Sequence, residues 1–181
     1  KQGGGEMKKI ILLMLLLCAL VCVGCDSLVK DEPKNTPAAT EQVKNISFII
    51  YRADASGNDK LLPEKITMKD NGKSLPENAL EALVSTKPQD ARMEDVIPVG
   101  TKVRSLKISA DGTAVADFSK ELSKRGQGSY GEMMLTYAIV NTLTEFPEIK
   151  RVQILVEGKP VTSISGHMDL TEPLTRNETL L

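Results

Sequence analysis

The residues best suited to redox or metal chemistry lie at the start of the chain. Its three cysteines are Cys18, Cys22 and Cys25, and no thiol follows Cys25. A disulfide framework, a zinc–cysteine cluster and a cysteine nucleophile are therefore excluded from the rest of the sequence. Cys22 and Cys25 could form a metal site or a redox pair, or they could belong to a processing signal.

A second candidate site surrounds the single histidine. His167, Asp169 and Glu172 fall in one short stretch, and imidazole and carboxylate groups are metal ligands. A metal site normally needs three or four converging ligands, however, and no partner cluster is evident here. Polar groups that fix the backbone of a terminal strand and loop would explain the same pattern. There is no nucleophile elbow to complete a triad with His167.

The glycines of Gly126–Glu132 (GQGSYGE) could indicate a phosphate-binding loop before a helix. The stretch has neither the Gly-Lys-Ser/Thr element nor the dinucleotide-binding spacing, so a tight entry into a helix is the better interpretation. We therefore expect no enzyme activity, no cofactor and no bound metal. The alternative is a small enzyme or ligand-binding protein with a site near His167.

The apolar run Ile10–Gly24 answers the question about the cysteines. It follows the positive start Met7-Lys8-Lys9 and is shorter than the roughly 20 apolar residues of a membrane-spanning helix. It fits the core of a secretory signal. An uncleaved membrane anchor or a buried helix is the other interpretation.

Small Gly24 directly precedes Cys25, as in a bacterial lipobox, in which the cysteine is lipidated and becomes the new N-terminus. Cys18 and Cys22 follow the bulky residues Leu17 and Val21. The sequence departs from the lipobox pattern at Cys22, where Leu is usual. We predict a lipoprotein signal over residues 1–25, with translation starting at Met7 and lipid (palmitate) on Cys25. The mature chain would sit on the outer face of the bacterial cytoplasmic membrane.

Composition excludes nucleic acid as a partner class. The formal net charge is -1, aromatic residues make up 3% of the chain and Trp is absent, so neither a basic surface nor a base-stacking surface is indicated. Residues 26–45 are polar and include Pro33 and Pro37, which predicts a flexible linker between the lipid and a folded domain.

The hydrophobic pattern from residue 46 onward alternates strands and helices. It predicts two strands, Ser47–Arg52 and Leu61–Lys69, and two hairpins, Val103–Ser109 with Thr113–Phe118 and Arg151–Val156 with Pro160–Ser165. It also predicts two helices. The first runs from a capping box at Ser74 to about Ser85, and the second from a capping box at Ser129 and Glu132 to about Glu145. Helices lie between strand pairs. We therefore expect an α+β fold, a two-layer sandwich of a mixed β-sheet with two helices on one face.

The alternation of the central hairpin predicts which of its faces is buried. The set Arg104, Leu106, Ile108, Ala114, Ala116 and Phe118 holds most of the apolar bulk and should face the helices. The opposite face is mixed, with Val103 and Val115 among polar residues. Val103 and Val115 are therefore candidate interface residues. A solvated sheet face with scattered valines is the simpler interpretation.

Three stretches together resemble the GerMN domain of bacterial sporulation and germination lipoproteins. They are Val115–Leu122 (VADFSKEL), Asn141–Pro147 (NTLTEFP) and Gly166–Leu174 (GHMDLTEPL). The resemblance covers residues 46–174 in a single copy and leaves 175–181 as a tail. It implies an α+β domain outside the cell without known catalysis, acting as a scaffold or interaction module. The implied partners are the membrane through the lipid anchor, envelope or sporulation proteins, and further copies of the chain itself.

Overall fold

A computed structural model describes residues 44–124 and 128–181, which fold as an α+β unit, as predicted. In chain order the elements are β1 (Asn45–Asp54), β2 (Leu61–Lys69), α1 (Leu75–Ser85), β3 (Met93–Glu94), β4 (Val103–Ile108), β5 (Thr113–Phe118), α2 (Gly128–Leu143), β6 (Arg151–Val156) and β7 (Lys159–Pro160). Short 3-10 helices span Lys120–Ser123 and Glu178–Leu180.

The strands form two sheets, ordered β2-β1-β3 and β4-β5-β6-β7, where the sequence predicted one. β1 pairs with β2 along almost its whole length but with β3 only at Ala53 and Asp54. At Tyr51 this edge of β1 is taken by α2, because the Tyr51 N–H donates to Thr142 Oγ1 at 2.9 Å. Among the described residues, no strand therefore pairs with this edge of β1 at Tyr51.

The second sheet is mixed. β4 and β5 form the predicted antiparallel hairpin, whereas β5 and β6 run parallel, with α2 in the connection between them. Such a parallel pair needs a long crossover, and a helix commonly supplies it. β6 turns into β7 through Glu157 and Gly158, both left-handed with φ of 53° and 75°, as a two-residue type I′ turn requires.

Helix α1 begins as its sequence predicts. Glu77 N–H donates to Ser74 Oγ at 3.4 Å, and Ser74 N–H donates to Glu77 Oε2 at 3.0 Å. These reciprocal bonds form the predicted capping box, and Pro76 occupies the first turn. Leu80 and Leu83 are buried on the inner side, as expected.

Helix α2 begins differently from its prediction. It already includes Gly128, so Ser129 and Glu132 lie inside the helix rather than capping it. Glu132 instead directs its carboxylate to the chain after β7. The capping-box prediction for Ser129 and Glu132 was therefore wrong, because a distant segment competes for the carboxylate.

One hydrophobic cluster joins both sheets and both helices. The helices pack on β1 and on each other. Most apolar residues of α2 are buried, which agrees with its few polar positions. The largest fully buried apolar side chains are Ile50, Leu61, Leu80, Leu83, Phe118, Leu122, Met134, Leu135, Ile139, Leu143 and Ile154.

The C-terminal part departs from its prediction twice. β7 ends at Pro160, so the strand predicted over Pro160–Ser165 is mostly absent. Residues 175–181, predicted as a tail, pack on α2: Asn177 N–H donates to Asn141 Oδ1 at 2.9 Å, and Leu180 is buried. Both departures arise from contacts with α2 that have no local sequence pattern.

Candidate interaction surface

The outer hairpin face consists of Lys107, Thr113, Val115, Asp117 and Gln153, on the side of the second sheet opposite Ala114, Ala116 and Phe118. Those last three side chains have no exposed surface, which confirms the predicted inner face of β5. Val115 pairs with Lys107 on β4 and with Gln153 on β6. Paired residues of neighbouring strands share a face, so these side chains surround Val115.

A β-bulge separates Val103 from this surface. Val103 pairs with Phe118 and Ser105 pairs with Asp117, which leaves Arg104 as an extra residue. Val103 consequently packs against the core beside Phe118, and Arg104 joins Asp117. The prediction that Val103 shares a face with Val115 was wrong, because strict alternation does not survive an inserted residue.

At one end of the outer hairpin face the bulged Arg104 binds two carboxylates. Its Nε is 3.0 Å from Asp117 Oδ2 and its guanidinium is 2.5 Å from Glu157 Oε2. Asp117 also accepts from Gly158 N–H at 2.8 Å, and Glu157 accepts from Lys120 N–H at 2.9 Å. The hydrogen bond to Asp117 is the main cause that raises the pKa of Arg104. This arginine stays charged and fixes the β6–β7 turn.

At the other end Asp111 organises the β4–β5 turn. Its carboxylate accepts from Ser109 Oγ at 2.5 Å, from Thr113 N–H at 3.1 Å and from the Arg151 guanidinium. These donors, Ser109 first, hold the pKa of Asp111 well below its usual range. Gly112 has φ of 84°, and an added Cβ would lie 3.1 Å from Glu148 O, so the turn needs glycine.

Half-buried Val115 therefore lies between two ion-pair clusters on one sheet face. The Gln153 side chain beside it donates to Leu170 O at 3.1 Å, which ties the surface to the C-terminal segment. An apolar centre with a charged rim is the arrangement of a modest protein interface.

The structure places the His167 candidate on the surface. The His167 side chain is exposed, and Asp169 accepts from Thr171 N–H and Thr171 Oγ1 at 2.9 and 2.6 Å, a local turn. Among residues 44–124 and 128–181, no group of three His, Cys, Asp or Glu side chains is placed to hold a metal. His167, Asp169 and Glu172 are not brought together as a ligand set.

Sequence reasoning missed the polar group that determines the backbone path near His167. The carboxylate of Glu132, 1% exposed, accepts from the N–H groups of Ile164, Ser165 and His167 at 2.8, 3.0 and 2.8 Å. The hydroxyls of Ser163 and Ser165 add bonds of 2.7 and 3.0 Å. Glu132 is the one charged residue of α2, and this was the available signal, because a buried charge requires partners.

These donors control the ionisation of Glu132. Burial alone would raise the pKa of its carboxyl, but the hydrogen bonds from Ser165, Ser163, His167 and Ile164 outweigh burial and lower the pKa to about 2. The Glu132 side chain is therefore charged near neutral pH, and its hydrogen bonds hold the segment 163–167 against α2.

Cys25, the predicted lipidation site, lies outside the described residues. In the two described ranges no helix has the length and apolar character needed to cross a membrane. Lipidation of Cys25 stays a prediction.

The architecture is that of an α+β domain with a mixed sheet face, and comparison with known proteins identifies its family. The model of the Germane family, described as "Sporulation and spore germination", matches residues 49–162. The chain belongs to this family, which confirms the resemblance seen in the sequence.

Relatives agree with this assignment. The chain is 25% identical over 154 residues to the spore germination protein GerM of Bacillus subtilis (strain 168), covering 82% of this chain and 40% of that protein. The chain thus spans well under half the length of this curated relative. Its fold matches the first GerMN domain of the sporulation protein GerM from B. subtilis with a TM-score of 0.62 and 25% identity, covering 72% of this chain and 98% of that one.

A further structural match is a protein from Clostridium perfringens described as "Putative Lipoprotein", with a TM-score of 0.51 and 24% identity. The aligned region covers 76% of this chain and 91% of the Clostridium protein. At this identity the match concerns the fold alone.

Proposed function

We propose that this chain is a lipid-anchored scaffold or interaction module on the outer face of the bacterial cytoplasmic membrane, acting in sporulation or germination. Its partners are envelope or sporulation proteins, or further copies of itself. The Germane family match and the similarity to GerM support the process. The lipobox-like Gly24-Cys25 supports the anchor.

The observation that supports an interaction role most directly is the outer hairpin face. Val115 and the half-buried Leu155 are apolar side chains among polar residues on this sheet face, and ion-pair clusters around Arg104 and Asp111 lie at its two ends. A preformed surface loses little conformational freedom on binding.

The experiment compares Val115→Glu with Val115→Thr in the full chain. Glu places a charge at the apolar centre of the surface, whereas Thr keeps the branched shape and suits a strand. We expect Val115→Glu to lose a crosslinked partner or self-association in cells while its thermal unfolding stays close to wild type. Val115→Thr should retain most of the association. If every association persists in the folded Val115→Glu variant, this surface is not the interface.

The anchor is tested separately. Cys25→Ala should release the chain from detergent-extracted membranes or leave an uncleaved precursor. Sequencing the mature N-terminus gives a direct readout, and a start at any residue other than Cys25 contradicts the lipidation hypothesis.

A further inference from the structure

The outer edge of β2 is a second surface, distinct from the outer hairpin face. Among the strands of the described residues, β2 ends its sheet and pairs with β1 on one side only. Just beyond the two ends of β2, Asp54 N–H donates to Lys60 O at 2.9 Å and Asp70 N–H donates to Lys44 O at 2.8 Å. Because hydrogen-bonding direction alternates along an antiparallel strand, the even-numbered residues of β2 bond β1. Its odd-numbered residues direct their N–H and C=O groups outward.

The outward groups include those of Lys65, Thr67 and Lys69. Within residues 44–124 and 128–181 none of these groups has a backbone partner. Pro63 also falls at an odd position, where its missing N–H costs no bond to β1, as for proline at a sheet edge. β2 therefore presents a row of unused donors and acceptors, which is the template for an added strand.

A groove of about 350 Å³ runs between this edge and α1. The apolar part of its wall is formed by Ile66, Met68 and Ala82, and Thr67 also lines the groove. The Thr67 side chain lies on the other face of the sheet, where its Oγ1 is 2.9 Å from Ser47 Oγ. Thr67 must therefore line the groove with its backbone, so the groove reaches the open edge itself.

The opposite face of the same edge is positively charged. Lys65 and Lys69 are exposed, and their partners on β1 are the uncharged residues Ile49 and Asn45. In the described part of the chain neither lysine forms an ion pair. A strand laid along β2 would meet apolar wall on one face and two free lysines on the other.

A second copy of the chain is a poor occupant of this edge. Pairing two β2 edges antiparallel would bring Lys65 and Lys69 of both copies onto one face, and like charges across neighbouring strands repel. Lysines on an exposed edge commonly prevent such pairing. The charge pattern favours an acidic partner.

We propose that β2 binds an extended segment of a partner protein in which apolar and acidic residues alternate. The segment adds a strand through the N–H and C=O groups of Lys65, Thr67 and Lys69. Its apolar side chains enter the groove between β2 and α1, and its acidic side chains face Lys65 and Lys69. Backbone bonds provide affinity and the alternating side chains provide specificity, as in other strand-addition complexes.

The test measures binding of a fluorescent, end-capped peptide of alternating Val and Glu to the detergent-solubilised full chain. The decisive pair of variants is Thr67→Pro and Thr67→Val. Both lose the hydroxyl contact with Ser47, but proline alone removes the outward N–H. We expect Thr67→Pro to weaken binding about tenfold or more and Thr67→Val to bind nearly as wild type.

A second arm tests the charge and does not depend on the folding of Thr67→Pro. Changing both lysines, in Lys65→Glu/Lys69→Glu, should reverse the preference from the Val–Glu peptide to a Val–Lys peptide. No binding of the Val–Glu peptide to wild type, equal binding of both peptides, or insensitivity to a folded Thr67→Pro would overturn the proposal. Self-association of the wild type that Thr67→Pro abolishes would also overturn it, by identifying a second copy as the occupant.

Discussion

Glu132 and Asp111 are both carboxylates that accept several hydrogen bonds, but they lie in opposite environments. The Glu132 residue is 1% exposed and its donors come from the segment 163–167. The Asp111 side chain is 55% exposed and its donors come mainly from its own turn. The pKa of each carboxyl is lowered. The same local chemistry therefore appears once as a link between distant segments and once as a local turn.

The difference lies in what is left if the carboxylate is removed. Without Glu132, three backbone N–H groups in a buried or half-buried place lose their acceptor, and water has little access to replace it. Without Asp111, water reaches the freed donors directly, and the ion pair with Arg151 is of a kind that contributes little. Burial, rather than the number of hydrogen bonds, should decide the effect on stability.

The largest effect should come from Glu132→Gln. An amide keeps one acceptor oxygen but replaces the other with an NH2 group, which cannot accept from a backbone N–H, so at least the bond from the His167 N–H is lost. We expect a loss of about 3 kcal/mol in the free energy of unfolding, measured by chemical denaturation. Asp111→Asn is the matched control and should shift the denaturation midpoint much less. Equal midpoints for the two variants would contradict the role assigned to burial.

The pH dependence of stability should sharpen the same comparison. The folded pKa of Glu132 is about 2, against an ordinary value of 4.5. A depressed folded pKa contributes stability above the unfolded pKa, and that stability is lost as pH falls from about 4.5 towards about 2. Glu132→Gln should flatten the fall in unfolding free energy over this window relative to wild type. A fall of unchanged steepness in Glu132→Gln would show that other carboxylates control acid unfolding.

In the exposed turn, backbone conformation should matter more than the carboxylate. Gly112→Ala forces a Cβ into a left-handed conformation, with backbone oxygen of Glu148 at 3.1 Å. We expect a loss of about 2 kcal/mol by denaturation. Gly57→Ala is the control, because Gly57 has φ of 80° but nothing within 4 Å of an added Cβ. Equal losses in the two variants would mean that the contact with Glu148 contributes nothing.

The same contrast between local and distant contacts explains what the sequence could predict. The capping box of Ser74 and Glu77 and the inner face of β5 depend on neighbours within a few residues, and both were predicted correctly. The bulged Arg104 and the buried carboxylate of Glu132 each bind residues at sequence separations of 13 or more. Alternation and capping patterns do not predict such long-range contacts.

The candidate site shows the limit most clearly. Val115 was placed on the outer face correctly because β5 alternates without interruption. Val103 was not, since a single inserted residue reverses the side that each earlier residue faces. The contact of β1 with α2, in which Thr142 accepts from the Tyr51 N–H, could not be predicted either, because the two residues are 91 positions apart.

The smallest effect should come from His167→Ala. The side chain is exposed, whereas the His167 N–H donates to Glu132 Oε2 at 2.8 Å and is kept by alanine. We expect a change within about 0.5 kcal/mol in unfolding free energy and no change in cellular function. His167→Pro removes that N–H and should destabilise the chain clearly more. The metal content of the purified chain should also be measured. A stoichiometric metal that is lost in His167→Ala would contradict a purely structural segment and would indicate a ligand site at His167.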